Sequence, residues 1–284
     1  GQTSAAITGG YIVNDSDGYI QGDQNISVVA DALTNNGVVY GENSADLVSD
    51  LIENIGTIQS NSVALNANLL TNIGVVHGEK NTDLAINSIE NEGTIQSSEA
   101  LKVSGADIIN RGFMIGAKSV AMEANNLNNE YGGMVQSGDE ISLVSTRMDN
   151  AGTILSVGNV TGEIETINNS GIMQSNTQLS ITASKLANSG QLLGKSSITM
   201  NIEQGLNTGL IQSWGNATIA GDALANSGVI MTGGDVDVSV SDMRNSGSMQ
   251  SGGALSIDGS EFANSGSIMS GTQLVIDANE YINS

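Results

Sequence analysis

A glycine recurs every 19 residues along nearly the whole chain, and this period constrains the fold more than any other feature. Eleven of the thirteen intervals are 19 residues, whereas the interval ending at Gly74 is 18 and the one ending at Gly133 is 21. Tandem units this short must stack on one another, because a single unit cannot bury its own apolar side. The repeating glycines are Gly18, Gly37, Gly56, Gly74, Gly93, Gly112, Gly133, Gly152, Gly171, Gly190, Gly209, Gly228, Gly247 and Gly266.

Numbered from this glycine as position 1, the units have apolar residues at position 3, small ones at position 5, mostly apolar or small ones at positions 9, 11 and 13, and usually an apolar one at position 16. The spacing of two is typical of strands. It predicts one strand around positions 3 to 5, a second over positions 9 to 13 and a short third strand at position 16. The sequence therefore predicts an all-β fold, a right-handed parallel β-helix (solenoid) of about fifteen 19-residue coils. We expect a single domain over residues 1–284, with a partial first coil over residues 1–17.

Position 18 is asparagine in every unit except the one of 18 residues, in which Asn72 stands at position 17. Asparagine side chains that recur in each coil are expected to hydrogen-bond from one coil to the next. Asparagine and glycine also tolerate a left-handed backbone, which we expect at the corners of the coils. The predicted structural ladder comprises Asn35, Asn54, Asn72, Asn91, Asn110, Asn129, Asn150, Asn169, Asn188, Asn207, Asn226, Asn245 and Asn264.

Composition excludes several classes of protein. The chain has 36 Gly, no Pro and no Cys, so it can form neither disulfides nor thiolate metal sites. The absence of proline agrees with strands that are paired on both sides. A net charge of −22, from 8 Lys and Arg against 30 Asp and Glu, opposes binding to nucleic acid. No apolar run reaches about 18 residues, so we expect no direct membrane insertion.

Positions 2 and 4 should point outward, yet many of these residues are apolar. At position 4, glutamine alternates with a larger or apolar residue, which makes the true unit a pair of coils with 38 residues. An outward apolar row usually marks an interaction surface. The alternative is that gene duplication preserved the pattern and that β-propensity alone explains the valines and isoleucines. The predicted partner-binding face consists of Val38, Tyr40, Val75, His77, Phe113, Ile115 and Met134.

The sequence offers little catalytic chemistry. His77 is the only histidine, and beside Glu79 and Lys80 it is interpreted as a partly solvated surface imidazole. A polysaccharide-acting β-helix enzyme of the pectinase or lyase kind remains the alternative, because such enzymes use clustered outward acids, often with Ca²⁺. The best cluster contains Asp235, Asp237, Asp258 and Asp277, but no Lys or Arg shares its face. Solvated acids explain it more simply, so we expect no enzyme, no catalytic residues, no metal ligands and no cofactor.

The segment 171–190, GIMQSNTQLSITASKLANSG, resembles the haemagglutinin repeats of filamentous haemagglutinin and of CdiA contact-dependent growth-inhibition exoproteins. The resemblance extends over nearly the whole chain. It implies a fragment of a longer extracellular filament, exported by two-partner secretion and displayed at the bacterial surface. It also implies two partners: the outer-membrane secretion partner of the full-length protein, and an outer-membrane receptor or surface glycan of a target cell. The expected function is cell-surface display, adhesion or receptor contact for toxin delivery.

Overall fold

The computed structural model describes residues 4–284, in which every regular element is a β-strand. The strands form a parallel β-solenoid of about 15 turns with a spacing of about 19 residues, which confirms the predicted fold class. The first three residues of the partial coil predicted for 1–17 lie outside the described part. No helix long and apolar enough to cross a membrane occurs between Ser4 and Ser284.

The chain divides into two compact units, residues 1–142 and 143–284. In the first unit, three strands of 16 or 17 residues each merge a short and a long strand of the turn. Its strands are β1 (Ser4–Asn14), β2 (Tyr19–Gly22), β3 (Asn25–Asn35), β4 (Val38–Asn54), β5 (Thr57–Asn72), β6 (Val75–Asn91), β7 (Thr94–Ser97), β8 (Ala100–Asn110), β9 (Phe113–Gly116), β10 (Ser119–Asn129) and β11 (Met134–Ser137). The next strand, β12 (Glu140–Asn150), contains the boundary between the two units.

The second unit alternates short and long strands without exception. Each short strand has four residues and each long strand has ten or eleven. They are β13 (Thr153–Ser156), β14 (Asn159–Asn169), β15 (Ile172–Ser175), β16 (Gln178–Asn188), β17 (Gln191–Gly194), β18 (Ser197–Asn207), β19 (Leu210–Ser213), β20 (Asn216–Asn226), β21 (Val229–Thr232), β22 (Val236–Asn245), β23 (Ser248–Ser251), β24 (Leu255–Asn264), β25 (Ser267–Ser270) and β26 (Leu274–Asn283).

A turn thus contains two strands rather than the three predicted. The long strand runs through positions 8 to 18 without a break and includes the residue at position 16 that the sequence placed on a third strand. Pairing within the long strand is interrupted at position 14, and in some pairs also at position 13; between β8 and β10, Ala124 pairs with Gly105 and Asn126 with Asp107. Inward positions shift there from odd to even numbers. The corner therefore lies inside one strand, where two successive side chains point outward.

The core is a column of aliphatic side chains from the inward positions. In the turn that begins at Gly93, Ile95, Leu101 and Ile108 are fully buried. In-register pairing places the same position of the next turn directly beside each of them, as Met114 beside Ile95. Each fully buried aliphatic side chain contributes about 1.5–3 kcal/mol, so the free energy of folding accumulates turn by turn.

Asparagine side chains are hydrogen-bonded from turn to turn within each unit. In the first unit Asn14 donates from Nδ2 to Oδ1 of Asn35 at 2.7 Å, and the same bond recurs up to Asn129. In the second unit it runs from Asn150 to Asn283. Most of these amides also donate to the backbone carbonyl at position 2 of the turn after next, as Asn91 does to Phe113 at 3.2 Å. The buried amides are therefore bonded on both sides.

The repeating glycines do not have the left-handed backbone that the sequence predicted. Among residues 4–284 only Gly132 and Gly221 have positive φ, and no asparagine does. The glycine column is instead required by close approach between turns. A Cβ on Gly190 would overlap the carbonyl oxygen of Gly171, and one on Gly56 would overlap that of Gly37. Glycine occurs at position 1 because the backbones of successive turns nearly touch there.

Candidate partner-binding face

The structure places all seven predicted face residues in the first unit, on the short strands or their equivalents in β4 and β6. In-register pairing aligns them in two adjacent rows. The position 2 row contains Tyr19, Val38, Thr57, Val75, Thr94, Phe113 and Met134. The position 4 row contains Gln21, Tyr40, Gln59, His77, Gln96, Ile115 and Gln136. The prediction that these residues share one outward face agrees with this placement.

Exposure along the face is uneven. Phe113 is 45% exposed and Tyr19 is 59% exposed. Val38, Tyr40, Val75, His77, Ile115 and Met134 are only half-buried, since each is flanked by side chains of the neighbouring turns. The surface is therefore a row of partly covered aliphatic and aromatic groups from which Phe113 protrudes. Tyr19 belongs to the same row and was missing from the predicted face, although it stands at position 2 in the sequence.

His77 is more buried and better paired than its sequence neighbours indicated. Its side chain is 16% exposed, and Nε2 lies 3.2 Å from Oε1 of Glu79. Gln59 on the preceding turn donates to the same oxygen at 3.3 Å. Nδ1 is buried and has no hydrogen-bond partner among the described residues. Glu79 therefore orients two polar side chains of this face. One is Gln59, which lies beside Tyr40, and the other is His77, which lies on the same turn as Val75.

The two-residue insertion before Gly133 forms a tight turn that carries an exposed aromatic residue. The amide of Gly133 donates to the carbonyl of Glu130 at 2.9 Å, and Gly132 has a φ of 89°. Only glycine adopts such a φ readily. Tyr131 at the tip of this turn is 92% exposed. Tyr131 was not among the residues predicted from the sequence, although its place in an insertion was a usable signal.

Arg111 anchors the base of that turn. Its Nε donates to Oε2 of Glu130 at 2.8 Å and its Nη2 to Oε1 at 3.0 Å, while Nη1 lies 3.8 Å from Glu92. The hydrogen bonds that Arg111 donates to Glu130 raise the pKa of Arg111 most; burial lowers it by less, and the charges of Glu130, Glu92 and Glu90 raise it further. A bidentate pair of this kind fixes geometry better than a single contact. The turn that carries Tyr131 is thus held in one orientation.

A similar pair occurs in the second unit. Arg147 donates from Nε and Nη2 to the two carboxylate oxygens of Asp149, at 2.8 and 2.9 Å, and Asn168 donates to Oδ1 of the same residue at 2.7 Å. Burial raises the pKa of Asp149, but the hydrogen bonds from Arg147 and Asn168 and the charge of Arg147 together hold it below its usual value. The contacts account for the shift, and nothing about them points to catalysis.

The acidic alternative is only partly assembled. Asp258 and Asp277 are cross-strand neighbours, but Asp237 pairs with Ser256 rather than with either of them. Asp235 accepts a hydrogen bond at 2.8 Å from the backbone amide of Ala254 and so stabilises a corner. No group of three or more acids or histidines suited to a metal ion occurs in residues 4–284. The four acids thus include one adjacent pair.

Comparison of the chain with protein-family models, with curated proteins and with solved structures found no match. The stacked turns and the outward face of the first unit are accordingly the observations that bear on function.

Proposed function

We propose that this chain is a segment of the extracellular filament or stalk of a bacterial exoprotein similar to CdiA or filamentous haemagglutinin. The full-length protein would be exported by two-partner secretion and displayed at the cell surface. The observation that carries the proposal is the regularity of the turns, which repeat a short and a long strand, merged into one in three turns, with a buried asparagine and a glycine. A repeated turn supports a spacer function, because every added turn lengthens the stack by about 4.8 Å.

The mechanism of such a segment is geometric. Buried asparagine amides and closely packed glycines link each turn to the next, so that a turn resists sliding or rotating relative to its neighbours. A stiff spacer holds a receptor-binding or toxic portion at a distance from the cell that displays it. The absence of proline serves the same function, since proline would remove a hydrogen-bond donor from the ladder of strands.

The outward face of the first unit is the proposed contact with a target-cell outer-membrane receptor or surface glycan. Binding energy in an interface usually comes from a few large side chains surrounded by weaker contacts. Phe113, with Met134 and Ile115 beside it, provides such a set, and Tyr40 lies on the same sheet surface four turns away. A rigid sheet adds little conformational cost when the partner binds.

Replacing Tyr40, Phe113 and Ile115 with serine tests this face. The three side chains point outward, so the β-sheet circular dichroism should stay intact. Binding to target cells should weaken at least about tenfold, the effect of losing two or three interface side chains. The matched control replaces Val29, Val48 and Leu51 with serine, since these are also exposed aliphatic residues of the first unit but point away from this face. Equal binding by both variants would eliminate the face.

A second measurement addresses the class of the protein. Immobilised chain should capture an outer-membrane component from target cells. The serine variant of the face should fail to capture this component, whereas its control should capture it.

A third measurement tests the enzyme alternative. Incubation of the chain with acidic polysaccharides, with and without Ca²⁺, should release no reducing ends. Release that Asp258→Ala abolishes would contradict the stalk proposal and favour a polysaccharide-acting enzyme.

A further inference from the structure

A groove of about 540 Å³ lies on the outward face at positions 15 to 17 of the second unit. Its base is formed by the buried side chains of Ile167, Leu186 and Leu224 and by the backbone of Gly205. Ala187, Ala223 and Ala225 continue this apolar lining. The volume lies within the range of small-molecule sites, about 300–1,000 Å³.

One turn along the groove lacks the aliphatic side chain that its neighbours have at position 16. Gly205 occupies position 16, where the adjacent turns have Leu186 and Leu224. A Cβ on Gly205 would meet Cδ1 of Leu224 at 2.9 Å, so Leu224 occupies part of the space that a side chain on Gly205 would need. The next residue, Leu206, is 47% exposed at the edge of the groove. An exposed leucine beside an apolar depression would gain contacts if an apolar ligand filled it.

The uncompensated charge in this groove is positive, although the whole chain is strongly acidic. Asp242 and Arg244 both line it, but they pair with each other at 3.2 Å. Lys185, also in the lining, makes no hydrogen bond or ion pair with any residue in the range 4–284 that the structure describes. The nearest glutamates along the chain, Glu165 and Glu203, line a different groove across the corner. Lys185 is therefore available to an anion.

The shape of the surroundings favours a small molecule over a peptide. Strands β16, β18, β20 and β22 pair with one another along the groove, so no free strand edge is present there to which a peptide could add. The lining contains no aromatic ring on which a sugar could stack. Apolar side chains with one free ammonium group match a ligand that combines an aliphatic chain with a single negative charge.

We propose that this groove binds an aliphatic carboxylate, with the alkyl chain over Leu186, Gly205 and Leu224 and the carboxylate at Lys185. Decanoate below its micelle-forming concentration is a suitable probe. A ligand of this size should bind with a dissociation constant on the order of 1 mM. In a protein with isotope-labelled leucine methyl groups, the NMR signals of Leu206 and Leu224 should shift during the titration, while those of Leu65 and Leu70 in the first unit should not.

Three variants test the two parts of the site. Lys185→Gln should weaken decanoate binding about threefold to fivefold, as expected for one exposed ion pair. Lys195 is a cation of the same unit that lies outside the groove, so Lys195→Gln should leave decanoate binding unchanged. Ala225→Trp should fill the groove and weaken binding more than tenfold. Ala220→Trp places the same indole on another outward side of the same strand and should have no effect.

Several results would overturn the proposal. One is the absence of leucine shifts at saturating decanoate, and another is equal binding by the Lys185→Gln variant and the unchanged protein. The methyl ester of decanoic acid lacks the charge and should bind less tightly than decanoate. Tighter binding of an acidic peptide with apolar flanks would show that the groove accepts a protein segment instead, which would also contradict the proposal.

Discussion

At the scale of single residues, the buried asparagines connect the turns most directly. Asn91 is fully buried and accepts from Asn72 at 2.8 Å. Its own amide donates to Oδ1 of Asn110 at 2.8 Å and to the carbonyl of Phe113 at 3.2 Å. Removing this side chain leaves several buried polar atoms without partners, and each such atom costs about 1–3 kcal/mol.

Asn91→Ala should therefore lower the free energy of unfolding by about 2–4 kcal/mol, measured by urea denaturation. The matched control is Asn126→Ala. Asn126 also donates to a side chain of a neighbouring turn, Asp107, at 2.7 Å, but it is exposed to solvent. Water replaces that bond, so the control should lose less than about 1 kcal/mol. Equal losses in the two variants would mean that the ladder adds nothing beyond an ordinary surface hydrogen bond.

The sequence allowed the asparagine ladder to be predicted but gave the wrong reason for the glycines. A residue that recurs at one position of a stacked repeat must lie beside its own copies, so the asparagine contacts followed from the period alone. The distance between backbones at position 1 depends on how tightly successive turns pack. The residue pattern of a single 19-residue repeat does not specify the distance between the backbones of successive turns. The overlap of a Cβ on Gly190 with Gly171 therefore became visible only in three dimensions.

At the scale of elements, the 19-residue period determined the pairing of strands, but not where strands begin and end. The alternation at positions 9, 11 and 13 and the apolar residue at position 16 were read as separate strands. The chain turns its corner at position 14 by a shift of phase inside one strand, as between Gly105 and Asp107. Without proline or an insertion at this position, the sequence contained no signal for a break. In the sequence, the only sign of the groove is Gly205, a glycine at position 16 where most units have an apolar residue.

Removing whole turns should be tolerated far better than removing parts of them. Deletion of residues 171–189 joins Ser170 to Gly190 and preserves the Asn-Ser-Gly junction and the register of every later strand. The stability of a repeat protein is roughly a sum over turns and their interfaces, so the loss should be about 1–3 kcal/mol. Circular dichroism should show the same β-sheet spectrum, with one cooperative transition in urea.

The control deletes residues 171–180, about half as many. This change removes a short strand and the start of a long one, so the later inward side chains lose their partners. It should broaden the transition and destabilise the protein more than the longer deletion does. If the shorter deletion proved the milder, the 19-residue turn would not be the unit of folding.

At the scale of the whole molecule, the outward face of the first unit could be predicted from the sequence, whereas the groove near Lys185 could not. The outward face was predictable because strand alternation assigns each side chain to a side. Its uneven exposure was not, because the neighbours of Tyr40 and Phe113 come from other turns. The groove near Lys185 is defined by Gly205 beside Leu224 and by the ion pair between Asp242 and Arg244. These are contacts between turns, which a one-dimensional pattern does not specify.

Net charge also acts on the whole molecule, and it predicts an unusual response to salt. With 30 acids and 8 Lys and Arg, at least 22 acids have no cation of their own (30 − 8 = 22). Repulsion among them opposes folding, and dissolved salt screens it. Raising NaCl from 0.02 to 0.5 M should therefore increase the melting temperature by several degrees, although salt weakens the few ion pairs such as that of Arg111 with Glu130.

A variant with less negative charge makes this prediction specific. Asp83→Asn, Glu123→Gln, Glu203→Gln and Asp222→Asn remove four exposed charges and change the net charge from −22 to −18 (−22 + 4). At low salt this variant should melt at a higher temperature than the unchanged chain, and its response to NaCl should be smaller, because less repulsion remains to be screened. A melting temperature that falls with added NaCl would show instead that ion pairs outweigh repulsion. Differential scanning calorimetry of both proteins at matched pH distinguishes the two outcomes.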